Sequence, residues 1–239
     1  MKTQIYFVLG PTASGKSKFA LSLGKKLKGE IINADSMQIY SELNVLSARP
    51  TINDQKKIHH HLYGFVKGDA RFNVQKWCEE ASKKISYLID KNITPILVGG
   101  TGLYIDSLIN GIVSIPSIPE KVKLESDKII SNIGKENFFN LVKELDSDAM
   151  HNIAPNDIQR IRRIWEVNFF TKKKFSDWKK NKNKKIINLT NYKILLFLPE
   201  RTENYKRVDQ RTHLMIQNGA IEEVKNLLKL NYNNSLPIM

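Results

Sequence analysis

The sequence predicts an α/β protein: a parallel sheet flanked by helices, interrupted by an inserted all-helical lobe. Three observations carry that reading. Short continuous apolar runs, of the kind a central parallel strand needs, alternate with helical stretches through the first half of the chain. A glycine-rich turn follows the first of those runs directly. Between residues 110 and 190 the strand signals stop, and only charged, helix-forming segments remain.

Ile5–Leu9 is the first strand. With Met1-Lys2 ahead of it, it superficially resembles a signal peptide, but the apolar run is too short and leads straight into a phosphate-loop pattern. A helix is expected from Lys16 to about Leu27, then a second strand at Glu30–Ala34. A helix from about Asn73 to Lys91 precedes a third strand, Thr94–Val98. Pro119–Ile133, Lys135–Leu145 and Pro155–Phe170 are helical segments of the lobe. Tyr192–Leu198 is a fourth strand, and the chain is helical again from Arg201 to Leu230. The expected division is therefore a core of 1–109 and 191–239, with a helical insertion over 110–190 suited to RNA. No internal repeat is visible.

A chain of 239 residues can bury one good-sized core plus a smaller lobe. Lys and Arg number 38 against 24 acids, a formal charge of +14, and the pI is near 9.7. Such a field attracts polyanions, RNA foremost. Heavy joint use of Lys, Asn and Ile accounts for the total charge equally well, so charge alone decides nothing. The single cysteine, Cys78, excludes an internal disulfide and any multi-cysteine zinc site, and its helical setting suits a buried packing residue. No run reaches the roughly 18 apolar residues needed to span a membrane, so a cytoplasmic protein is expected. Lys179–Lys185 is low in complexity and suits either a solvated loop or an RNA contact.

Gly10-Pro11-Thr12-Ala13-Ser14-Gly15-Lys16-Ser17 fits G-x-x-x-x-G-K-[ST] completely, between a strand and a helix, which is the context that gives the motif meaning. The glycines let the backbone fold into a nest of N–H donors, and the helix N-terminus adds positive partial charge. Lys16 supplies a mobile cation, and the Ser17 hydroxyl can ligate Mg²⁺. The core is thus P-loop NTPase-like. The loop grips a diphosphate or triphosphate without specifying whose.

Asp35-Ser36-Met37-Gln38 follows the second strand at the edge where open α/β sheets bind ligands. A carboxylate there, facing a bound diphosphate, would be a proton acceptor with a raised pKa; it could equally cap the following turn. Gly99-Gly100-Thr101-Gly102 follows the third strand and allows close backbone approach, though a plain strand–helix turn needs the same glycines. That strand does not end in an Asp, where an NTPase would hold its metal, which counts against a motor or switch ATPase. In Pro155–Arg163, Pro155 fits a first helical turn. On the ensuing helix Ile158, Ile161, Ile164, Trp165 and Phe169 share one face, and Gln159, Arg163 and Glu166 lie opposite. Arg160 and Arg162 fall on the flanks. The three arginines suit phosphates, or form a merely solvated basic face. Across Tyr205–Gln217, Tyr205, Val208, Thr212, Met215 and Ile216 are expected inward. Arg211 lies at the edge of that stripe as a candidate second diphosphate clamp. His59-His60-His61 does not suit one metal ion, because consecutive side chains diverge; hydrogen bonding or packing is expected.

In this order, GPTASGKS at 10–17, ADSMQIY at 34–40, SARP at 47–50, HHHL at 59–62, GGTGLYI at 99–105, PNDIQRIRR at 155–163 and the helix through Arg207, Arg211 and Met215 resemble the tRNA dimethylallyltransferase family. The resemblance covers essentially the whole chain. It implies transfer of a dimethylallyl group from dimethylallyl diphosphate to the exocyclic amine of the adenosine 3′ of the anticodon, with release of diphosphate. It implies that Gly10–Ser17 holds the diphosphate with Mg²⁺ on Ser17, and that Thr12, Lys16, Asp35 and Arg211 serve catalysis. Asp35, Ser36, Met37, Gln38, Thr101, Lys123, Gln159, Arg160, Ile161, Arg162 and Arg163 match positions that contact tRNA. The implied partners are the anticodon loop and the prenyl donor, with no membrane, and the chain is expected to act as a monomer.

Three departures stand out. Ala48-Arg49-Pro50 replaces Ala-Lys-Pro, Lys123 replaces an arginine, and Ile58-His59-His60-His61-Leu62 replaces Pro-His-His-Leu. The family also continues beyond Met239 into a further basic helical segment, so a fragment or a shortened relative is expected. A small-molecule P-loop kinase and a prenyltransferase of free adenine nucleotides share parts of this pattern. The second should lack a lobe of this size.

Overall fold

The structure, a computed structural model, describes residues 3–181, 183–234 and 236–239. Met1 and Lys2 of the signal-like start, and Lys182 of the Lys179–Lys185 run, lie outside the described residues. Two compact units are present: Met1–Asn110 with Lys185–Met239, and Gly111–Lys184.

The first unit is built on strands β1 (Ile5–Leu9), β2 (Gly29–Asn33), β3 (His60–His61), β4 (Thr94–Gly99) and β5 (Tyr192–Leu196), ordered β3-β2-β4-β1-β5. Every pairing is parallel. Helices α1 (Lys16–Leu27), α2 (Ile52–Lys57), α3 (Val74–Asp90) and α4 (Gly102–Asn110) belong to the same unit, as do α9 (Arg201–Gln217) and α10 (Ala220–Lys229). Phe7, Ile32, Leu97, Trp77, Cys78, Ala81 and Ile85 form one apolar cluster, and Val8, Ala20, Ile31, Ile58 and Ile96 another. Alternate residues of one strand feed different clusters, so the sheet is covered on both faces. That is why its strands read as unbroken apolar runs. Cys78 is fully buried, as a packing residue should be.

Two elements of this unit differ from the sequence reading. β3 is an edge strand of two residues, too short to show any periodicity. In α9 no residue is buried: Tyr205, Thr212 and Ile216 are exposed, against the inward positions expected. The less exposed stripe is instead Asn204, Val208, Arg211 and Met215, spaced four, three and four residues apart. Arg211 therefore lies within that stripe, not at its margin. The helix ends at Asn218, and Gly219, at φ 95°, opens α10.

The second unit contains α5 (Glu120–Leu145), α6 (Ser147–Met150), α7 (Ile158–Thr171) and α8 (Phe175–Lys179). Its ends are tied by paired backbone hydrogen bonds between Ile112 and Lys184. Phe138, Val142, Ile161, Ile164, Trp165 and Val167 form its core. Within α5 the two helices expected over 119–145 meet at Gly134, whose φ of 81° and ψ of 165° are not helical, so the break falls where the sequence reading put it. Pro155 is not in the first turn of α7: Asp157 caps that helix by accepting from the Arg160 N–H, so Pro155 belongs to the preceding turn. Glu166 is buried, not solvated, and Phe169 is partly exposed with its ring stacked on Trp165. Among the described residues no helix is long and apolar enough to cross a membrane.

Candidate active site

The carboxyl ends of β1, β2 and β4 carry the three loops singled out from sequence. The P-loop leaves β1, and Gly15 must adopt φ 90° to start α1, a conformation that penalises any side chain. Lys16 folds back over its own loop, donating to the Pro11 carbonyl and, at 3.4 Å, to Ser14 Oγ. Pro11, Thr12 and Ser17 are exposed, Ser14 is buried and Ala13 has φ 62°. Burial lowers the Lys16 pKa from its ordinary value; Asp35 opposes that shift and Arg211 adds to it. Asp35 and Arg211, from two distant parts of the chain, are therefore each close enough to act electrostatically on Lys16.

Asp35 is held by a residue that belongs to none of the sequence motifs. Asn33, fully buried at the end of β2, accepts from the Asp35 N–H at 2.9 Å and donates to the Asp35 carbonyl at 2.9 Å and the Leu62 carbonyl at 3.0 Å. Its own carbonyl accepts from the Trp77 indole. A buried polar residue ending an apolar strand was the available signal, since such a group persists only when its hydrogen bonds are met. Asp35 Oδ1 caps the next turn, accepting from Met37 N–H at 2.9 Å and Gln38 N–H at 3.4 Å. One carboxylate oxygen makes the turn, which leaves the other without a hydrogen bond among the described residues.

The remaining loops lock onto this one. Thr101 Oγ1 accepts from the Ser36 N–H at 3.0 Å. Gly99 is required beside it, because a Cβ there would stand 2.0 Å from the Ala34 carbonyl oxygen. Gln38 donates its amide to the carbonyls of Ser47 at 2.7 Å and Ala48 at 3.2 Å, joining the ADSMQ and SARP segments. Arg49 reaches back to Asn44 Oδ1 and the Ser41 carbonyl. Met37 stays exposed.

Within the helical unit, Lys123, Arg162 and Arg163 gather round the buried Glu166. Burial raises the pKa of that carboxyl, against the pull of Arg163, Arg162 and Lys123. Burial likewise lowers the Arg163 pKa, with Glu166 opposing. Arg162 bridges Asp127 at 2.8 Å, Arg160 bridges Asp157 at 3.1 Å and Lys123 bridges Glu120 at 3.0 Å. Gln159 and Arg160 face solvent. Ile161 is wholly buried in the unit's core, so any contact it makes with RNA is through its backbone.

The family model described as IPP transferase matches residues 38–239, and that described as isopentenyl transferase matches residues 3–63. The chain is 43% identical over 229 residues to the tRNA dimethylallyltransferase of Pelagibacter ubique, covering 96% of this chain and 73% of that one. It belongs to the tRNA dimethylallyltransferase family. A second family member, from Wolbachia pipientis, is 38% identical, with 100% of this chain and 79% of the relative covered. Among solved structures, a eukaryotic dimethylallyltransferase acting on tRNA superposes with a TM-score of 0.77 at 27% identity, over 99% of this chain and 58% of the other. The tRNA isopentenylpyrophosphate transferase of Bacillus halodurans gives 0.64 at 25%, over 100% and 73%. The tRNA dimethylallyltransferase fold is thus present across both units, in a chain about three-quarters the length of its curated relatives.

Proposed function

We propose that the chain transfers a dimethylallyl group from dimethylallyl diphosphate to the exocyclic amine of the adenosine 3′ of the anticodon in tRNA. The observation that carries this reading is the electrostatic grouping of Lys16, Arg211 and Asp35 at the carboxyl edge of the sheet. Both cations lack an acid at ion-pair distance among the described residues, and the Asp35 carboxylate is near enough to act electrostatically on Lys16.

The P-loop amides and Lys16 take the diphosphate of the donor, and Arg211 takes a further oxygen. As the allylic carbon–oxygen bond breaks, the electron pair leaves with the diphosphate, where these groups stabilise the growing charge. The amine nitrogen forms the new bond to that carbon and passes one proton to Asp35. Thr12, exposed in the loop, would donate to the same oxygens. Magnesium suits the donor set, because Mg²⁺ needs few protein ligands beside phosphate oxygens and water, and the exposed Ser17 hydroxyl supplies one. When bound, it would neutralise charge on the leaving group. The target base must leave its stack to reach this edge. Ser36, Met37, Gln38 and Thr101 would receive it, and Lys123, Gln159, Arg160, Arg162 and Arg163 would contact the RNA backbone.

Incubation with dimethylallyl diphosphate and tRNA tests the reading. Release of diphosphate with prenylated RNA is expected. ADP formation from ATP, with no prenyl transfer, would point instead to a P-loop kinase.

A further inference from the structure

The histidine run, whose adjacent residues make chelation look unfavourable from sequence, takes a different form in the structure. Consecutive strand residues point to opposite faces, so three adjacent histidines cannot converge, but the first and third can. His59 and His61 lie on one side with ring centroids 4.4 Å apart. His60 turns away, its Nδ1 bonded to the Ile58 carbonyl at 2.8 Å and its ring against Tyr63. On the His59 and His61 side stands Glu30 of β2, with Oε2 2.6 Å from His61 Nε2. One ligand atom from each of Glu30, His59 and His61 lies within 4.8 Å of the others.

We propose that Glu30, His59 and His61 bind a divalent transition-metal ion of the zinc class. Two imidazoles and one carboxylate are a donor set that zinc favours, and a fourth position is left for water. At zinc–ligand distances of about 2.0–2.2 Å, tetrahedral ligand atoms stand about 3.3–3.6 Å apart. The His61–Glu30 contact of 2.6 Å must open by roughly an ångström, and any separation near the 4.8 Å limit must close. Side-chain rotation supplies that, since His59 is exposed and Glu30 only half-buried. Lys84 acts electrostatically on His61 and opposes any cation, so the three ligands must outweigh it.

Glu30 sits near the start of β2, on the order of 15 Å along the chain from Asp35 at about 3.3 Å per strand residue. The ion would therefore take no part in prenyl transfer. It would clip β3, a strand of two residues in register with Ile31 and Ile32, onto the edge of the sheet. Metal that binds the folded state alone stabilises it.

The test uses the full chain stripped of metal, with zinc uptake followed by competition against a chromophoric chelator and Tm followed with and without zinc. One equivalent of zinc and a higher Tm are expected for the wild type. Removing a group that only hydrogen-bonds a metal ligand costs about 10–100-fold in affinity, so removing a direct ligand in His59→Ala should weaken binding by more than about 100-fold. His151→Ala, an exposed histidine elsewhere, should change nothing. Because His59 is exposed, its variant keeps the fold, and Co²⁺ can report its loss of binding by the visible absorption of a tetrahedral site. A wild type that takes up no zinc, or uptake that survives His59→Ala, would overturn the assignment. A bound ion that leaves Tm unmoved would overturn the role as a clip.

Discussion

Around the P-loop, Lys16 and Arg211 stand without an acid at ion-pair distance among the described residues, whereas in the helical unit Lys123, Arg160 and Arg162 each bridge a carboxylate and Arg163 sits against Glu166. The same residue types are thus set for different work. Unpaired, partly desolvated cations gain the most from an arriving anion, and Lys16 loses little by releasing its carbonyl and hydroxyl partners. Paired cations must give up an existing carboxylate before they take a phosphate, so each such interaction is worth less and is screened by salt. On the proposed reading, one region holds a compact, highly charged leaving group, and the other releases and re-grips a long polyanion.

The sharpest way to break this contrast is at the P-loop. Removing one preorganised donor to developing charge costs about 100- to 1000-fold in kcat, and Lys16→Ala should fall in that range. Asp35→Asn should lower transfer by a comparable amount, general-base contributions being about 100- to 10,000-fold. Its amide oxygen can still cap Met37 and Gln38, so the loop should keep its shape. Arg211→Ala should follow at about 100-fold, read by single-turnover prenylation.

Smaller effects should come from the helical unit and should fall on RNA affinity instead of kcat. Asp127→Asn frees Arg162 and should tighten tRNA binding by about two- to fivefold at low salt, while Arg162→Ala should loosen it. A titration of Kd against salt checks both, since every phosphate left unneutralised should reduce the slope by about 0.7–0.9. If Asp127→Asn binds tRNA no better, the bridge does not restrain Arg162.

Least visible in activity should be Asp146→Asn. Burial pushes the Asp146 carboxyl up, but hydrogen bonds from Ser176, Ala149 and Asn168 outweigh it, and its pKa lies below the ordinary value. A carboxylate lowered by folding stabilises the fold above its unfolded pKa, about 3.9, and that contribution fades as pH falls through the folded value. The wild type should lose stability in acid below about pH 4, and Asp146→Asn should lose less on that descent. At neutral pH the variant should be less stable by about 1–3 kcal/mol, as urea unfolding would register.

Much of the core was legible because its signals are local. The P-loop sits between an apolar strand and a helix, and β1, β2, β4 and β5 read as apolar runs. What escaped is non-local. Asn33 matters through partners 2, 29 and 44 residues away. Glu166 is buried because surrounding cations tolerate it, which helical periodicity cannot report. The face of α9 could not be read from its apolar residues, because Tyr205 and Ile216 lie in solvent while Arg211 is drawn in. His59 and His61 meet Glu30 only because a two-residue edge strand pairs with β2.

Donor binding and transfer, measured side by side in Lys16→Ala, Arg211→Ala and Asp35→Asn, test the central division of labour most directly. Equilibrium binding of dimethylallyl diphosphate should weaken sharply in the two cation variants and remain near wild type in Asp35→Asn, which nonetheless fails to prenylate tRNA. Undiminished donor binding by Lys16→Ala, or prenylation by Asp35→Asn at the wild-type rate, would contradict it.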